Sequence, residues 1–230
     1  MHDKTKTASG SAVIDELLDG GFENDTITTI YGPFSSGKTT ICIIAAIQMA
    51  RSGKKVIYVD TESSFSVDRL RQLAPDDYRE ILEKMIFIAP TSFQNQKSIF
   101  QKLAALVTES IGLIIVDSIA IFYRLSKGGD VSIQDVNKEM RIQLYYLSDI
   151  AKIHRIPVII TNQVYANFEI KDEVRIVGGD LILYSSKCVV ELQKMKNAIR
   201  KGIVRKHRSI PEGKEIYFEI LHEGISKYDA

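Results

Sequence analysis

Tryptophan is absent from this 230-residue chain, and it has only two cysteines, five prolines and four histidines. Cys42 and Cys188 both sit in apolar company, so they read as small buried hydrophobes rather than a disulfide framework. The histidines lack metal-ligand spacing, which argues against a structural metal. Apolar runs such as ICIIAAI are far too short to span a membrane. The opening MHDKTKTASG is polar and has no apolar signal core. Neither sign of charge dominates, since 30 Lys and Arg face 29 Asp and Glu. These absences lead to the expectation of a cytoplasmic protein with no membrane partner.

The chain is long enough for one well-buried domain or two small ones. Its hydrophobic content of 45% and charged content of 26% are ordinary for a globular protein. Apolar runs alternate with amphipathic ones. Strands are predicted at 26–32, 54–60, 86–90, 112–118 and 156–162, and helices at 38–53, 74–85, 96–110 and 131–154. The alternation predicts an α/β fold, a mostly parallel twisted sheet with helices on both faces. After residue 185 the pattern changes to short strands joined by turns, expected to extend one edge of the sheet antiparallel. No linker interrupts the pattern, so one domain is expected over 11–230, with a mobile segment over 1–10.

GPFSSGKT follows the first long strand and opens the first long helix. It fits the pattern G-x-x-x-x-G-K-[ST] of a phosphate-cradling loop, in the structural setting that pattern requires. Gly32, Pro33, Phe34, Ser35, Ser36, Gly37, Lys38, Thr39 and Thr40 are therefore candidates for binding ATP. Lys38 would reach the β and γ phosphates, and Thr39 would hold Mg²⁺. Asp117 ends the buried strand LIIVD and is the candidate carboxylate for that metal, acting through water. Glu62 follows the strand end YVD and is placed to polarise an attacking water, or else is a solvated loop acid. Asp60 is two residues upstream and could support it. Gln163 ends another buried strand, where a neutral amide can contact the γ-phosphate.

The order GPFSSGKT, YVDTE, LIIVDS, IITNQV resembles the ATPase core of the RecA/RadA recombinase family. The likeness runs from SAVIDELLDGGF to the C-terminus, and its last three motifs are much more specific than the first. It is strongest to the short archaeal paralogues in that family. The resemblance implies a RecA-like P-loop core, with Glu62 activating water, Gln163 sensing the γ-phosphate and Arg69 lying near the adenine. It also implies a first DNA-facing loop over 118–132, with Tyr123, Arg124 and Lys127 as contacts, and a second over 164–178. Longer members carry an N-terminal helical DNA-binding domain, and none is expected here. The second loop carries Glu169, Asp172 and Glu173, a poor composition for holding a DNA backbone. Where longer members place an ATP-capping aspartate before a Pro-Glu segment, this chain has basic residues around Lys206.

KMKNAIRKGIVRKHR, residues 194–208, holds seven Lys or Arg and no acid. Its plain reading is a hairpin whose lysines protect a sheet edge. In a recombinase-like core it becomes a candidate DNA track through Lys196, Arg200, Lys201, Arg205, Lys206 and Arg208, with Tyr123, Tyr165 and Phe168 as stacking faces. Alternatively, these residues act on a neighbouring subunit's ATP in a homo-oligomer. The expected function is an ATP-binding, DNA-binding protein of recombination and repair, with weak hydrolysis and no strand exchange of its own. It would act on single-stranded or branched DNA beside a full-length RadA-type recombinase or other recombination factors. The alternatives are a DNA-stimulated ATPase that exchanges strands itself and, more distantly, a P-loop small-molecule kinase.

Overall fold

Runs of Ile and Val without intervening charge become the central strands, and the amphipathic stretches between them become the covering helices. The structure is a computed structural model that describes residues 5–126, 132–166 and 174–229. The elements run β1 (Lys6–Thr7), α1 (Ala12–Leu17), β2 (Phe22–Glu23), β3 (Ile27–Gly32), α2 (Lys38–Arg51), β4 (Lys55–Asp60), α3 (Val67–Leu73), α4 (Tyr78–Glu83), β5 (Met85–Ile88) and α5 (Phe93–Leu106). They continue with β6 (Ile111–Asp117), α6 (Ile121–Ser126), α7 (Ile133–His154), β7 (Val158–Ala166), β8 (Val174–Ile176), α8 (Gly179–Ser185), β9 (Cys188–Lys194), β10 (Arg200–Lys206), β11 (Glu215–Ile220) and β12 (Ile225–Lys227).

One large sheet has the order β12-β11-β10-β9-β3-β7-β6-β4-β5, with β8 paired to β7. β3 and β6 are buried along their whole lengths, as strands covered on both faces should be. One face carries α1 to α4, whose Leu17, Ile41, Ala46, Leu70 and Ile81 share a core with Tyr58, Ile115 and Val190. The other carries α5 to α8, where Phe100, Leu103, Leu144, Leu147 and Ile182 pack on Ile57, Ile114 and Ile160. Each such fully buried aliphatic side chain contributes roughly 1.5–3 kcal/mol of apolar transfer free energy. This is the expected fold class, with antiparallel strands at the C-terminal edge. At this edge the change of direction comes one strand later than the pattern implied, because β9 joins β3 in parallel and the antiparallel pairing starts with β10.

From Lys6 onward the N-terminal segment is hydrogen-bonded to the rest of the chain, and two predicted helices change their bounds. β1 pairs with β2, Lys6 Nζ donates to Leu18 O at 2.8 Å, and Ser9 is buried with its N–H on Asp15 Oδ1. The predicted helix 74–85 is preceded by another, α3, and itself shortens to α4. Ser66 caps α3 by accepting from Arg69 N, and Ala74, ahead of Pro75, leaves the helical region at φ −144° and ends it. Finally, α5 starts three residues earlier than predicted, because Ser92 accepts from Asn95 N at its N-terminus.

Candidate active site

The motif residues converge at the carboxyl ends of β3, β4, β6 and β7, the usual place for a ligand in an open parallel sheet. They line a cleft of about 580 Å³ bordered by residues 34–40, Glu62, Ser64, Asp117, Ser118, Gln163, Arg200 and Ile220. A cavity of similar size, about 600 Å³, opens at the opposite ends of the strands beside Lys54, His154 and Arg155 and contains none of the motif residues.

The loop between β3 and α2 requires its glycines. A Cβ on Gly32 would lie 2.4 Å from the Leu192 carbonyl oxygen, and Gly37 has φ +107° with Ile220 packed against it. Several features of the loop suit an anion. First-turn N–H groups of α2 have no intrahelical acceptor. Ser36 Oγ is buried without a hydrogen-bond partner. Lys38 is buried and donates to Gly32 O and Pro33 O, each at 2.9 Å. Burial pulls its ammonium below the ordinary lysine value, and nearby Asp117 and Glu62 oppose that shift only in part. A desolvated cation facing a ring of N–H donors fits a nucleotide's phosphate chain. Thr39 Oγ1 donates to Asp117 Oδ2 at 2.7 Å, which places the two candidate magnesium partners side by side.

Asp117 also accepts from Tyr58 (3.0 Å), Ser64 (3.1 Å) and Thr161. Burial, followed by the charge of Asp117, pushes the Tyr58 hydroxyl well above its ordinary value and keeps it a donor. Tyr58, Ser64, Ser118 and Thr161 were missed as site residues. Tyr58 shares the strand parity of Asp60, so period-two reading could have found it; Ser118, the residue after Asp117, has the opposite parity and gave no such signal.

Glu62 is not a freely solvated loop acid. Gln163 Nε2 donates to its Oε2 at 2.5 Å, and Ser118 Oγ donates to its Oε1. Asp60 supports it as anticipated, its carboxylate accepting from the N–H groups of Glu62, Ser64 and Phe65 and so folding the loop. Thr61 Oγ1 donates to Ser118 O at 2.7 Å and accepts from Ser118 N at 2.9 Å. The water-activating candidate, the sensor candidate and the start of the first-loop segment are thus one hydrogen-bonded unit.

The remaining candidates separate. Arg69 is not among the cleft-lining residues; its guanidinium donates to Leu221 O and His222 O at 2.8 and 2.9 Å. Tyr123 is corrected: it is 2% exposed and its hydroxyl donates to Asn137, so it is core and not a stacking face. Arg124 is exposed on α6, near Glu62, Ser118 and Gln163. Lys127, Phe168, Glu169, Asp172 and Glu173 lie outside the described residues.

The basic segment is mostly neutralised from within the chain. Lys201 pairs with Glu215 at 2.5 Å, Arg205 with Glu191 at 2.6 Å, and Arg208 with Glu23 at 2.7 Å and with Asp25. Lys206 donates to Leu183 O at 2.8 Å. These four have acceptors within the chain that the linear sequence does not show. Lys196 is exposed in the β9–β10 turn. Arg200 leaves the proposed track altogether and joins the cleft.

Comparison with known proteins agrees with this geometry. The Rad51 family model matches residues 3–228. The chain is 37% identical over 228 residues to the DNA repair and recombination protein RadB of Methanobrevibacter smithii, covering 96% of this chain and 95% of that protein. To RadB of Methanocaldococcus jannaschii it is 39% identical over 218 residues, covering 94% and 100%. A crystal structure of the RadB recombinase superposes with a TM-score of 0.82 at 34% identity, over 96% of this chain and 99% of that one.

Proposed function

The chain belongs to the Rad51 family, and from that premise we propose that it is a Mg²⁺-ATP-binding, DNA-binding protein of repair and recombination. It hydrolyses ATP slowly and assists a full-length recombinase rather than exchanging strands itself. The observation that carries this reading is the clamp on Glu62, held by Gln163 from β7 and by Ser118 beside α6. A carboxylate fixed from two sides, about 100 residues apart in sequence in one case, can orient a water and register changes in both loops.

Bound Mg²⁺-ATP would supply the scissile phosphoryl group and a divalent charge beside it. Lys38 would exchange its two carbonyl acceptors for phosphate oxygens, and the first-turn N–H groups of α2 would take the rest of the chain. Thr39 and Asp117 would hold the metal, Asp117 through water. Glu62 would accept the water's proton, and Gln163 would shift between Glu62 and the terminal phosphate. That exchange offers a route from nucleotide state to the loop after β7. The weak-turnover reading is supported by the internal pairing of Lys201, Arg205 and Arg208, which leaves few cations to act on a neighbour's nucleotide. For DNA, Arg124 and Lys196 are exposed candidates, whereas the exposed Arg205 and Arg208 carry ion pairs within the chain. The complete set Lys38, Thr39, Glu62, Asp117 and Gln163 around one cleft keeps the DNA-stimulated ATPase as the second reading.

The test is ATP hydrolysis with and without single-stranded DNA, with Glu62→Gln as blank and anisotropy reporting DNA binding in parallel. Slow turnover indifferent to DNA, together with real DNA binding, is expected. Strong stimulation abolished by the substitution would establish the second reading instead.

A further inference from the structure

We infer that Arg200 is a nucleotide-phosphate ligand acting in cis, the second cation of this chain's own ATP cleft and not part of a DNA track. The inference rests on the nucleotide reading above and deepens it.

The C-terminal hairpins lean on the phosphate loop at three successive points. Leu192 of β9 touches Gly32, Arg200 of β10 reaches Ser35, and Ile220 of β11 packs on Gly37. Arg200 is fixed there by its own bonds. Its Nε donates to Ser35 O at 3.2 Å, and its Nη1 donates to Ala198 O at 2.7 Å and Ile199 O at 3.3 Å. All three acceptors are backbone carbonyls, so the guanidinium charge meets no carboxylate there. Lys201, Arg205 and Arg208 on the same segment all have carboxylate partners. An arginine left without a counter-ion and held at the lip of a cleft is suited to an anion that comes and goes.

Charge balance points the same way. Among the cleft-lining residues the cations are Lys38 and Arg200, and the anions are Glu62 and Asp117. Without Arg200 the lining would carry net negative charge toward a polyanionic ligand. With it the balance is even before the metal arrives. A guanidinium anchored by two carbonyl-bonded nitrogens also loses little rotamer entropy on binding. Ser35, its acceptor, has φ +59° in the phosphate loop and lines the same cleft.

The test compares affinities of the full chain for ATP, ADP and AMP with Mg²⁺, in wild type, Arg200→Ala, Arg200→Lys, Lys38→Ala and Lys194→Ala. Unfolding midpoints are recorded for each. Arg200→Ala is expected to weaken ATP about tenfold and ADP less, with AMP unchanged and partial recovery in Arg200→Lys. Lys194→Ala, exposed on β9 opposite Arg200, is expected to leave all three affinities unchanged. Equal loss for all three nucleotides would mean that Arg200 only shapes the loop through Ser35, and would overturn the inference. So would unchanged ATP affinity in Arg200→Ala while Lys38→Ala loses it, which leaves the nucleotide reading intact. Wild type that binds no nucleotide would overturn both.

Discussion

The phosphate loop and the basic segment 194–208 are the two most conspicuous stretches of this sequence, and they differ in how their polar groups are satisfied. In the loop, Ser36 Oγ is buried without a partner, and Lys38 is desolvated on two carbonyls with no bonded carboxylate. In the basic segment, Lys201, Arg205 and Arg208 each face an acid, and Lys206 a carbonyl. Leaving buried polar groups underbonded is costly and therefore marks a place kept open for a ligand. A run of like charge whose counter-charges come from distant strands is part of the packing. The linear sequence offered one region by its motif and the other by its charge, and hydrogen-bond accounting distinguishes how their polar groups are held.

The largest expected effect lies at the open end. Glu62→Gln keeps the Gln163 and Ser118 neighbours and removes the base, so turnover should fall by about 10²–10⁴ with ATP affinity nearly unchanged. Phosphate release in single-turnover and steady-state assays measures it. A fall in affinity equal to the fall in rate would make Glu62 a binding residue and weaken the comparison. Next is Gly32→Ala. Its Cβ would meet the Leu192 carbonyl, a backbone atom that cannot rotate away. Such overpacking typically costs about 1–3 kcal/mol. Denaturant unfolding should show the loss, accompanied by weaker nucleotide binding, because the same contact seats β9 against the loop.

The sheet and the cleft were largely legible because they rest on local rules. Strands such as LIIVD are apolar up to their last residue, and GPFSSGKT must lie between a strand and a helix to work. Pairings across distant parts of the chain were not legible. Arg208 meets Glu23 and Asp25 more than 180 positions away, and no spacing rule announces that. The pairing of β1 with β2 and the Lys6 anchor were hidden likewise, since a two-residue strand has no period. Tyr123 was read by its place in a loop, whereas α6 turns it into the core between Phe93 and Asn137. Arg200 was legible only as one cation of the basic run, because its place at the cleft depends on β10 standing two strands from β3, an order fixed only by the fold.

A smaller effect tests the closed end. Glu191 accepts from Arg205 at 2.6 Å and from the Tyr31 hydroxyl at 3.2 Å. Burial, reinforced by Glu191, pushes the Tyr31 hydroxyl above its ordinary value, so it remains a donor at neutral pH. Glu191→Ala leaves both donors without their acceptor. Because Arg205 is partly solvated, the expected destabilisation is about 1 kcal/mol, at the low end for such losses. Arg205→Ala with Lys206→Ala should leave DNA affinity and its salt slope unchanged, whereas Arg124→Ala should flatten the slope by about one unit. A flattened slope in the Arg205 and Lys206 variant would return the segment to the DNA track and break the comparison.

The smallest effect is a pH dependence that belongs to the basic segment alone. His207 is almost wholly buried, and its Nδ1 accepts from Ser209 N and Ile210 N at 3.1 and 3.2 Å. Protonating Nδ1 would turn an acceptor of two N–H bonds into a donor. Burial lowers the His207 value, and Lys6 and Arg208 act in the same direction, while Glu23 at 3.9 Å and Asp19 oppose. A histidine whose folded value is depressed favours the fold above its unfolded value, near 6.5, where it is neutral in both states. As pH falls below that, the unfolded chain takes up the proton first, and stability declines until the folded value is passed. The melting temperature of wild type should therefore drop between pH 7 and pH 5.5 by more than that of His207→Gln, whose side-chain oxygen can still accept but does not titrate. ATP affinity should show no such difference between the two proteins, because His207 is not among the cleft-lining residues. Equal melting curves across that range would mean that the ring's acceptor role is not what ties the turn after β10 to β2.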